Sequence, residues 1–364
     1  MTSRWTSIGA GLALVAALAV TASATSHSPA VKRHAAAKPV RPAPPAPQFI
    51  TDRIGQLGQG FDGRVGIAVK SIDDGWSTGW KAGELYPQQS VSKLWVSITA
   101  LDAVDKGKIS LDQPVTLTQD DLTLFHQPIA EQVVAGPYTT TLGDLLTRAI
   151  TTSDNTANDK LMRSVGGPAA VRALIRAKRL GAIRFDNGER ALQSRIAGLT
   201  WNPAYSIGNA FYEARDALPA ATRQAAFDRY VADPYDGAAP SAIVSALARL
   251  KRGELLSPAS TQYLLDTMSH THTGPNRLKG GLAPGWVLNH KTGTGQVLGG
   301  AQAGYNDIGI LTAPDGRSYA VVVMIKLTSV PLPVRMTLMN EVVRAVIAQH
   351  DMQYPPAAQP SVAQ

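Results

Sequence analysis

The chain has 364 residues, of which 44% are hydrophobic and 17% charged, a composition that allows a large buried core and excludes global disorder. The formal net charge is +8, but residues 1–48 hold five basic residues and no acidic one, so the remainder carries only +3. A nucleic-acid partner is therefore not expected. The absence of cysteine excludes disulfides, thiol catalysis and thiolate zinc sites.

The first segment has the pattern of a secretory signal peptide. Arg4 supplies a positive charge, Ile8 to Val20 form an apolar run, and Ala22-Ser23-Ala24 fits a cleavage site. The run is shorter than the roughly 20 residues of a membrane span, although an uncleaved anchor is the alternative. We expect residues 1–24 to be removed, no stable membrane span to remain, and the protein to reach the periplasm or, after release, the medium.

Two segments of biased composition bound the predicted folded unit. Residues 25–48 are rich in Ala and Pro and predict a stiff, extended linker. Residues 351–364 predict a disordered tail. The predicted catalytic domain therefore spans 49–350, and nothing in it requires more than a monomer.

Along this domain the sequence predicts strands first, then a block of helices, and then strands with a closing helix. The short apolar run Val65–Val69, the turn at Asp73-Asp74-Gly75 and a second strand candidate at Trp76–Trp80 predict a hairpin. Helices are then predicted at 90–103, 141–152, 155–165 and 168–178. Strands at Trp286–His290, Ile308–Leu311 and Tyr319–Lys326 and an amphipathic helix at Pro331–Gln349 follow. This order predicts an α+β fold: an antiparallel sheet flanked by helices and completed by both chain ends, plus an inserted all-helical subdomain.

The first chemical motif is Ser90-Val91-Ser92-Lys93. If Ser90 opens a helix, Lys93 lies one turn on and on the same face. A serine needs a base to become a nucleophile, and a lysine shielded from water can serve. A capping serine followed by a surface lysine is the simpler explanation of this motif alone.

Two more motifs follow. Ser153-Asp154-Asn155 could relay a proton to a leaving nitrogen and hold a substrate amide, or could simply cap the helix at 155–165. Lys291-Thr292-Gly293-Thr294, at a strand end, suits a carboxylate and lets the backbone approach a ligand closely, or could be an ordinary turn.

In this order the three motifs resemble those of class A β-lactamases and penicillin-binding proteins, most closely the class A branch. The resemblance implies a β-lactam substrate and no cofactor. It implies that Ser90 is acylated, that Lys93 assists it, and that the backbone N–H groups of Ser90 and Thr294 bind the oxyanion. Further implied roles are proton transfer to the ring nitrogen by Ser153, acylamino binding by Asn155, and carboxylate binding by Lys291, Thr292 and Thr294.

Two other residues complete the implied site. Arg277 lies 14 residues before Lys291, where some class A enzymes keep an arginine that supports the carboxylate pocket; a surface arginine is the alternative. Glu189-Arg190-Ala191-Leu192-Gln193 resembles the family's E-x-x-L-N motif, whose glutamate activates water for deacylation. Gln193 replaces the asparagine that helps hold this water, and its extra methylene could displace the water.

The segment 194–237 departs from the family as a helical insertion. Ile207, Phe211, Ala214 and Leu218 are predicted on one face of a first helix, and Phe227, Tyr230 and Val231 on a second, separated by Pro219. We favour a packed surface decoration, with a reshaped substrate pocket as the alternative.

Phe125-His126 resembles the family's aromatic gate and could contact substrate or only cover the core. His270-Thr271-His272 has no third ligand nearby, so a metal is not expected. Besides β-lactam hydrolysis, two functions remain open: a D,D-peptidase or other serine hydrolase, and a binding module that is acylated without turnover.

Overall fold

The computed structural model describes residues 43–355. Its strands are β1 (Arg64–Ser71), β2 (Ser77–Trp80), β3 (Pro114–Leu117), β4 (Tyr138–Thr141), β5 (Val287–Thr294), β6 (Val297–Leu298), β7 (Ala301–Gln302), β8 (Tyr305–Thr312) and β9 (Ser318–Leu327). Its α-helices are α1 (Gln48–Gly60), α2 (Lys93–Asp105), α3 (Ala130–Val134), α4 (Leu142–Thr151), α5 (Asn155–Ser164), α6 (Gly167–Ala177), α7 (Glu189–Ile196), α8 (Ala210–Ala217), α9 (Ala220–Ala232), α10 (Pro240–Lys251), α11 (Pro258–Ser269) and α12 (Leu332–Gln353).

The main sheet has five antiparallel strands in the order β2-β1-β9-β8-β5. Both chain ends contribute to it, as the sequence predicts. The hairpin β1–β2 and the later strands β5, β8 and β9 fall where they are predicted. Two small hairpins, β3–β4 and β6–β7, stand outside the sheet.

The central strand β9 separates two hydrophobic cores. Val321, Val323 and Ile325 pack in the core that includes α1 and α12, whereas Val322 and Met324 face the core formed with the helical region. This alternation follows from the period of two in a β-strand. Because both faces of β9 are covered, its sequence is a continuous apolar run rather than an alternating one.

The ends of the folded unit differ slightly from the predicted ones. Helix α1 begins at Gln48, inside the predicted linker, and α12 continues to Gln353, so the predicted tail boundary at 351 is too early. Tyr354 then donates a hydrogen bond to Asp74 Oδ1 at 2.6 Å. The predicted leader (1–24), most of the linker and residues 356–364 lie outside the described residues. Within 43–355, no helix combines the length and apolar character needed to cross a bilayer.

The insertion contains the two predicted helices, α8 and α9, with Pro219 between them. Phe227, Tyr230 and Val231 are buried on α9 as predicted. Ile207 was wrongly placed: it precedes α8 and is 49% exposed. The chain turns at Gly208 and begins α8 only at Ala210, so Ile207 does not share the face of Phe211.

Candidate active site

Ser90 lies in a single 3₁₀ turn, Gln89–Ser92, that leads directly into α2. The sequence predicts a continuous helix from 90, and the structure starts the α-helix three residues later, at Lys93. The Lys93 ammonium still reaches back to Ser90, with 2.6 Å between Nζ and Oγ. Gln89, immediately before Ser90, has a φ of 54°, a strained conformation for a residue with a side chain.

The main sheet holds this turn in place. Asn306 on β8 donates from Nδ2 to the carbonyl oxygens of Pro87 and Gln88, at 2.7 and 3.0 Å. A Cβ atom added at Gly293 of β5 would lie only 2.4 Å from the Gln88 carbonyl oxygen. Glycine is therefore required at position 293 for β5 to approach the segment that carries Ser90.

Lys93 is completely buried and joins three acceptors of the predicted site. Besides Ser90, its Nζ donates to Asn155 Oδ1 at 2.8 Å and to Glu189 Oε1 at 2.5 Å. An ammonium has three N–H donors, so all of them are used. Burial of the Lys93–Glu189 ion pair is tolerated because each charge is compensated by the other.

The segment Ser153-Asp154-Asn155 is both a helix cap and part of the site. Asp154 is the capping residue: its carboxylate accepts from the backbone N–H groups of Ala157 and Ile129, at 2.9 and 2.6 Å. Ser153 has a φ of 62°, which separates it from the helices on either side. Asp154 therefore caps helix α5, which leaves the neighbouring Ser153 and Asn155 as the candidate site residues of this segment.

Lys291 and Ser153 are in direct contact, with 2.9 Å between Nζ and Oγ. Lys291 is fully buried, and burial, reinforced by the charge of Lys93, holds its pKa well below the usual value of 10.5. The residue before Lys291, His290, forms a buried pair with Asp307, with 2.9 Å between Nδ1 and Oδ1. The negative charge of Asp307 partly opposes the fall in the Lys291 pKa.

Arg277 lies beside the strand β5. Its Nη1 donates to the carbonyl oxygens of Gly293 and Asn306, at 3.1 and 2.7 Å, and its Nη2 donates to Thr294 Oγ1 at 2.6 Å. Arg277 as a whole is 7% exposed. Arg277 is therefore not an ordinary surface arginine. It fixes the end of β5 and orients the Thr294 hydroxyl.

Glu189 is the first residue of α7 and is buried. Its backbone N–H donates to Asp159 Oδ1 at 2.9 Å, and burial together with the Glu189 charge raises the pKa of Asp159 to about 6. Gln193, one turn on, directs its side-chain nitrogen to Glu189 Oε2 at 3.3 Å and to Gln89 Oε1 at 2.9 Å. The longer amide of Gln193 thus reaches the carboxylate itself.

Sequence reasoning missed a buried network that joins the insertion to the residue before Ser90. The Gln89 side chain donates to the Tyr230 hydroxyl at 2.6 Å, and this hydroxyl donates to Asp236 Oδ1 at 3.0 Å. The other oxygen of Asp236 accepts from the Gln89 backbone N–H at 2.6 Å. Burial raises the pKa of Asp236 to about 7. The sequence offered only a turn signal at Asp236-Gly237.

A cleft of about 510 Å³ opens onto these groups. Its walls include Ser90, Ser153, Asn155, Thr292, Thr294 and Arg277 from the predicted set. Lys93 contacts Ser90 and Lys291 contacts Ser153 from behind this lining, and Glu189 in turn contacts Lys93. These three charged side chains are therefore buried, while the serine and threonine residues line the cleft.

The gate and the insertion complete the cleft. Phe125 and His126 both line it, and the His126 ring nitrogen Nε2 lies 2.7 Å from the Thr152 carbonyl oxygen. Tyr212 and Arg215 of α8 line it as well. The favoured interpretation of the insertion as a mere surface decoration is therefore wrong for α8, whereas α9 is packed against the core.

Residues 49–350 match the model of the beta-lactamase enzyme family. The chain belongs to the beta-lactamase enzyme family. Among curated beta-lactamases, the extended-spectrum enzyme PER-1 of Pseudomonas aeruginosa is 29% identical over 307 residues, which cover 84% of this chain and 87% of that protein. The beta-lactamase VEB-1 of the same species is 27% identical over 269 residues, covering 74% and 79%.

Solved beta-lactamase structures agree with this membership. A beta-lactamase from Chitinophaga pinensis DSM 2588 superposes with a TM-score of 0.68 at 28% identity, covering 82% of this chain and 98% of that one. An ancestral class A beta-lactamase gives 0.65 at 30% identity, covering 82% and 99%. These findings confirm the predicted class A family and its α+β fold.

Proposed function

We propose that this protein hydrolyses β-lactam antibiotics through an acyl-enzyme on Ser90. The observation that carries the proposal is the position of the Lys93 ammonium, which contacts both the Ser90 hydroxyl and the Glu189 carboxylate. One nucleophile thereby has both a partner for acylation and a carboxylate for deacylation within reach. The beta-lactamase names of the relatives support the same activity.

In acylation, the Lys93 ammonium first passes a proton to Glu189, and the neutral amine then accepts the proton of Ser90 Oγ as this oxygen attacks the lactam carbonyl carbon. The backbone N–H groups of Ser90 and Thr294 bind the oxygen on which negative charge develops. The C–N bond of the ring then breaks, and the ring nitrogen takes a proton from Ser153, which is replaced by the proton that the Lys93–Glu189 pair took from Ser90, so that Glu189 is again a carboxylate. The adjacent Lys291 holds the Ser153 hydroxyl in place for this transfer, with 2.9 Å between Nζ and Oγ.

Substrate orientation comes from both walls of the cleft. Thr292 and Thr294, backed by Lys291, receive the carboxylate of the antibiotic, and Arg277 keeps the Thr294 hydroxyl in place. The Asn155 side chain holds the acylamino group on the opposite wall. Its amide nitrogen is fixed by a 2.7 Å bond to the Leu124 carbonyl oxygen.

In deacylation, Glu189 removes a proton from a water molecule, which attacks the ester carbonyl, and this proton returns through Lys93 to Ser90 Oγ as the ester C–O bond breaks. Gln193 steadies the Glu189 carboxylate through its 3.3 Å contact. This step separates a beta-lactamase from a D,D-peptidase-like or merely binding protein, which would remain acylated. The buried Glu189 beside Lys93 is the specific feature that favours turnover.

The proposal is tested by mixing the purified protein with excess benzylpenicillin and following both ring opening and intact protein mass. We expect many turnovers per protein molecule in the wild type and none in Ser90→Ala. A single adduct that persists on Ser90 would favour the peptidase or binding function. No reaction at all would overturn the proposal.

We also infer that the protein is exported as a monomer after loss of residues 1–24. The positively charged start, the apolar run and the small residues at 22–24 support export. Fractionation of cells that express the full chain, with mass analysis of the product, should find the chain outside the cytoplasm and starting at Thr25 or close to it. Retention of residues 1–24 would contradict this, and light scattering tests the monomer.

A further inference from the structure

The inserted helix α8 forms one wall of the cleft. Phe211 is 1% exposed and packs edge-on against the gate residue Phe125, with 5.0 Å between ring centroids. The neighbouring Tyr212 is 43% exposed, and its ring centroid lies 6.2 Å from that of Phe125. Two aromatic rings, one from the gate and one from the insertion, therefore border the same part of the cleft.

Arg215, one turn after Phe211, brings a positive charge to this wall. Its Nε donates to Asp216 Oδ1 at 3.1 Å, and Arg223 donates to the same oxygen at 3.2 Å. Among the hydrogen bonds of residues 43–355, the terminal nitrogens of Arg215 have no protein acceptor. Glu213, the other acidic residue of α8, does not line the cleft. The two terminal guanidinium nitrogens of Arg215 are therefore available to donate hydrogen bonds to a ligand.

Two arginines line the cleft, and they differ in how many protein acceptors their terminal nitrogens have. Arg277 is bound to β5 and β8 and serves the end of the cleft at Thr294. Arg215 lines the cleft and also borders a small neighbouring cavity, together with Arg223, Gln296 and Val297. Gln296 in turn donates to the Gln193 backbone at 2.8 Å, which places Arg215 towards the Glu189 side of the cleft.

We propose that Tyr212 and Arg215 form a subsite for acylamino side chains that combine an aromatic ring with a second carboxylate. The inference rests on the proposed function, in which Asn155 holds the acylamino group. The aromatic ring packs against Tyr212 and Phe125. The second carboxylate accepts paired hydrogen bonds from the planar guanidinium of Arg215, a geometry that a lysine does not reproduce.

Benzylpenicillin and carbenicillin provide a matched test because they differ only in a carboxylate on the side chain. In Arg215→Gln, we expect kcat/KM for carbenicillin to fall about tenfold, mainly through KM, with kcat/KM for benzylpenicillin changed less than twofold. Arg215→Lys should recover part of the loss, because it restores the charge without the planar fork. The matched control is Arg223→Gln, which removes the other partner of Asp216 outside the cleft and should leave both substrates unchanged.

Thermal unfolding of each variant separates a folding defect from a lost contact. Equal losses for both penicillins, or no loss for carbenicillin in a folded Arg215→Gln protein, would overturn the subsite while leaving β-lactam hydrolysis intact. Failure of the wild type to open or be acylated by either penicillin would overturn the proposed function and the subsite together.

Discussion

The side-chain nitrogen of Gln193 lies 3.3 Å from Glu189 Oε2, although the family's motif has the shorter asparagine at this position. Gln296 donates to Gln193 Oε1 at 3.1 Å and so fixes the orientation of the amide. The additional methylene is thus used to bring an N–H donor to the carboxylate. Gln193 is therefore a hydrogen-bond partner of Glu189.

Replacing Gln193 with the similarly sized Leu should slow deacylation. The substitution removes a hydrogen bond to a charged group, worth about 1.5–3 kcal/mol, so kcat for benzylpenicillin should fall about 10- to 100-fold. Stopped-flow measurement of nitrocefin should show the initial acylation burst preserved and the steady state reduced. A slower burst with an unchanged later phase would contradict this role.

The hydroxyl of Tyr230 should stabilise the Ser90 turn from the insertion. In Tyr230→Phe, Gln89 Nε2 and Asp236 Oδ1 each lose a buried partner, and we expect the free energy of unfolding to fall by about 2 kcal/mol. Tyr235→Phe is the matched control, because among residues 43–355 its hydroxyl makes no hydrogen bond. Urea unfolding checks both. Equal stabilities for the two variants would show that the buried network contributes nothing.

Asp236 should make stability depend on pH. Burial raises its pKa from the ordinary 3.8 to about 7. Between pH 4 and 7 the folded state therefore keeps a proton that the unfolded state has released, so raising the pH lowers the free energy of unfolding. The contribution has a slope of at most about 1.4 kcal/mol per pH unit.

The variant Asp236→Asn removes this titration, whereas Asp159, with a raised pKa of its own, is common to both proteins. Urea unfolding of the wild type and the variant at pH 4, 5, 6 and 7 should show the variant gaining stability relative to the wild type as the pH rises. Parallel pH profiles would contradict a raised pKa at Asp236.

How far the sequence predicts this molecule depends on how local each feature is. Ser90 and Lys93 are three residues apart, so a helical spacing rule places them together. The sheet was predictable because β9 is a continuous apolar run and the β1–β2 hairpin has a clear turn. The 3₁₀ geometry at Ser90 was not, because the contacts of Asn306 and Gly293 with the preceding segment impose it.

The contacts of the insertion with the rest of the chain could not be predicted from local patterns. The helical pattern predicted which face of α9 is buried, but Gln89 and Tyr230 are 141 residues apart, and no local pattern pairs them. Likewise, the helical pattern gave Tyr212 and Arg215 no role. The packing of Phe211 against Phe125 brings them to the cleft.

The central claim, that Glu189 completes turnover of a Ser90 acyl-enzyme, is tested most directly by the variant Glu189→Gln. The amide keeps the shape of the side chain but cannot take a proton from water. Intact-mass analysis after mixing with benzylpenicillin should show near-complete conversion to a single adduct, mapped to Ser90, that persists while the wild type returns to its free mass. Turnover at the wild-type rate without accumulated adduct would contradict the account.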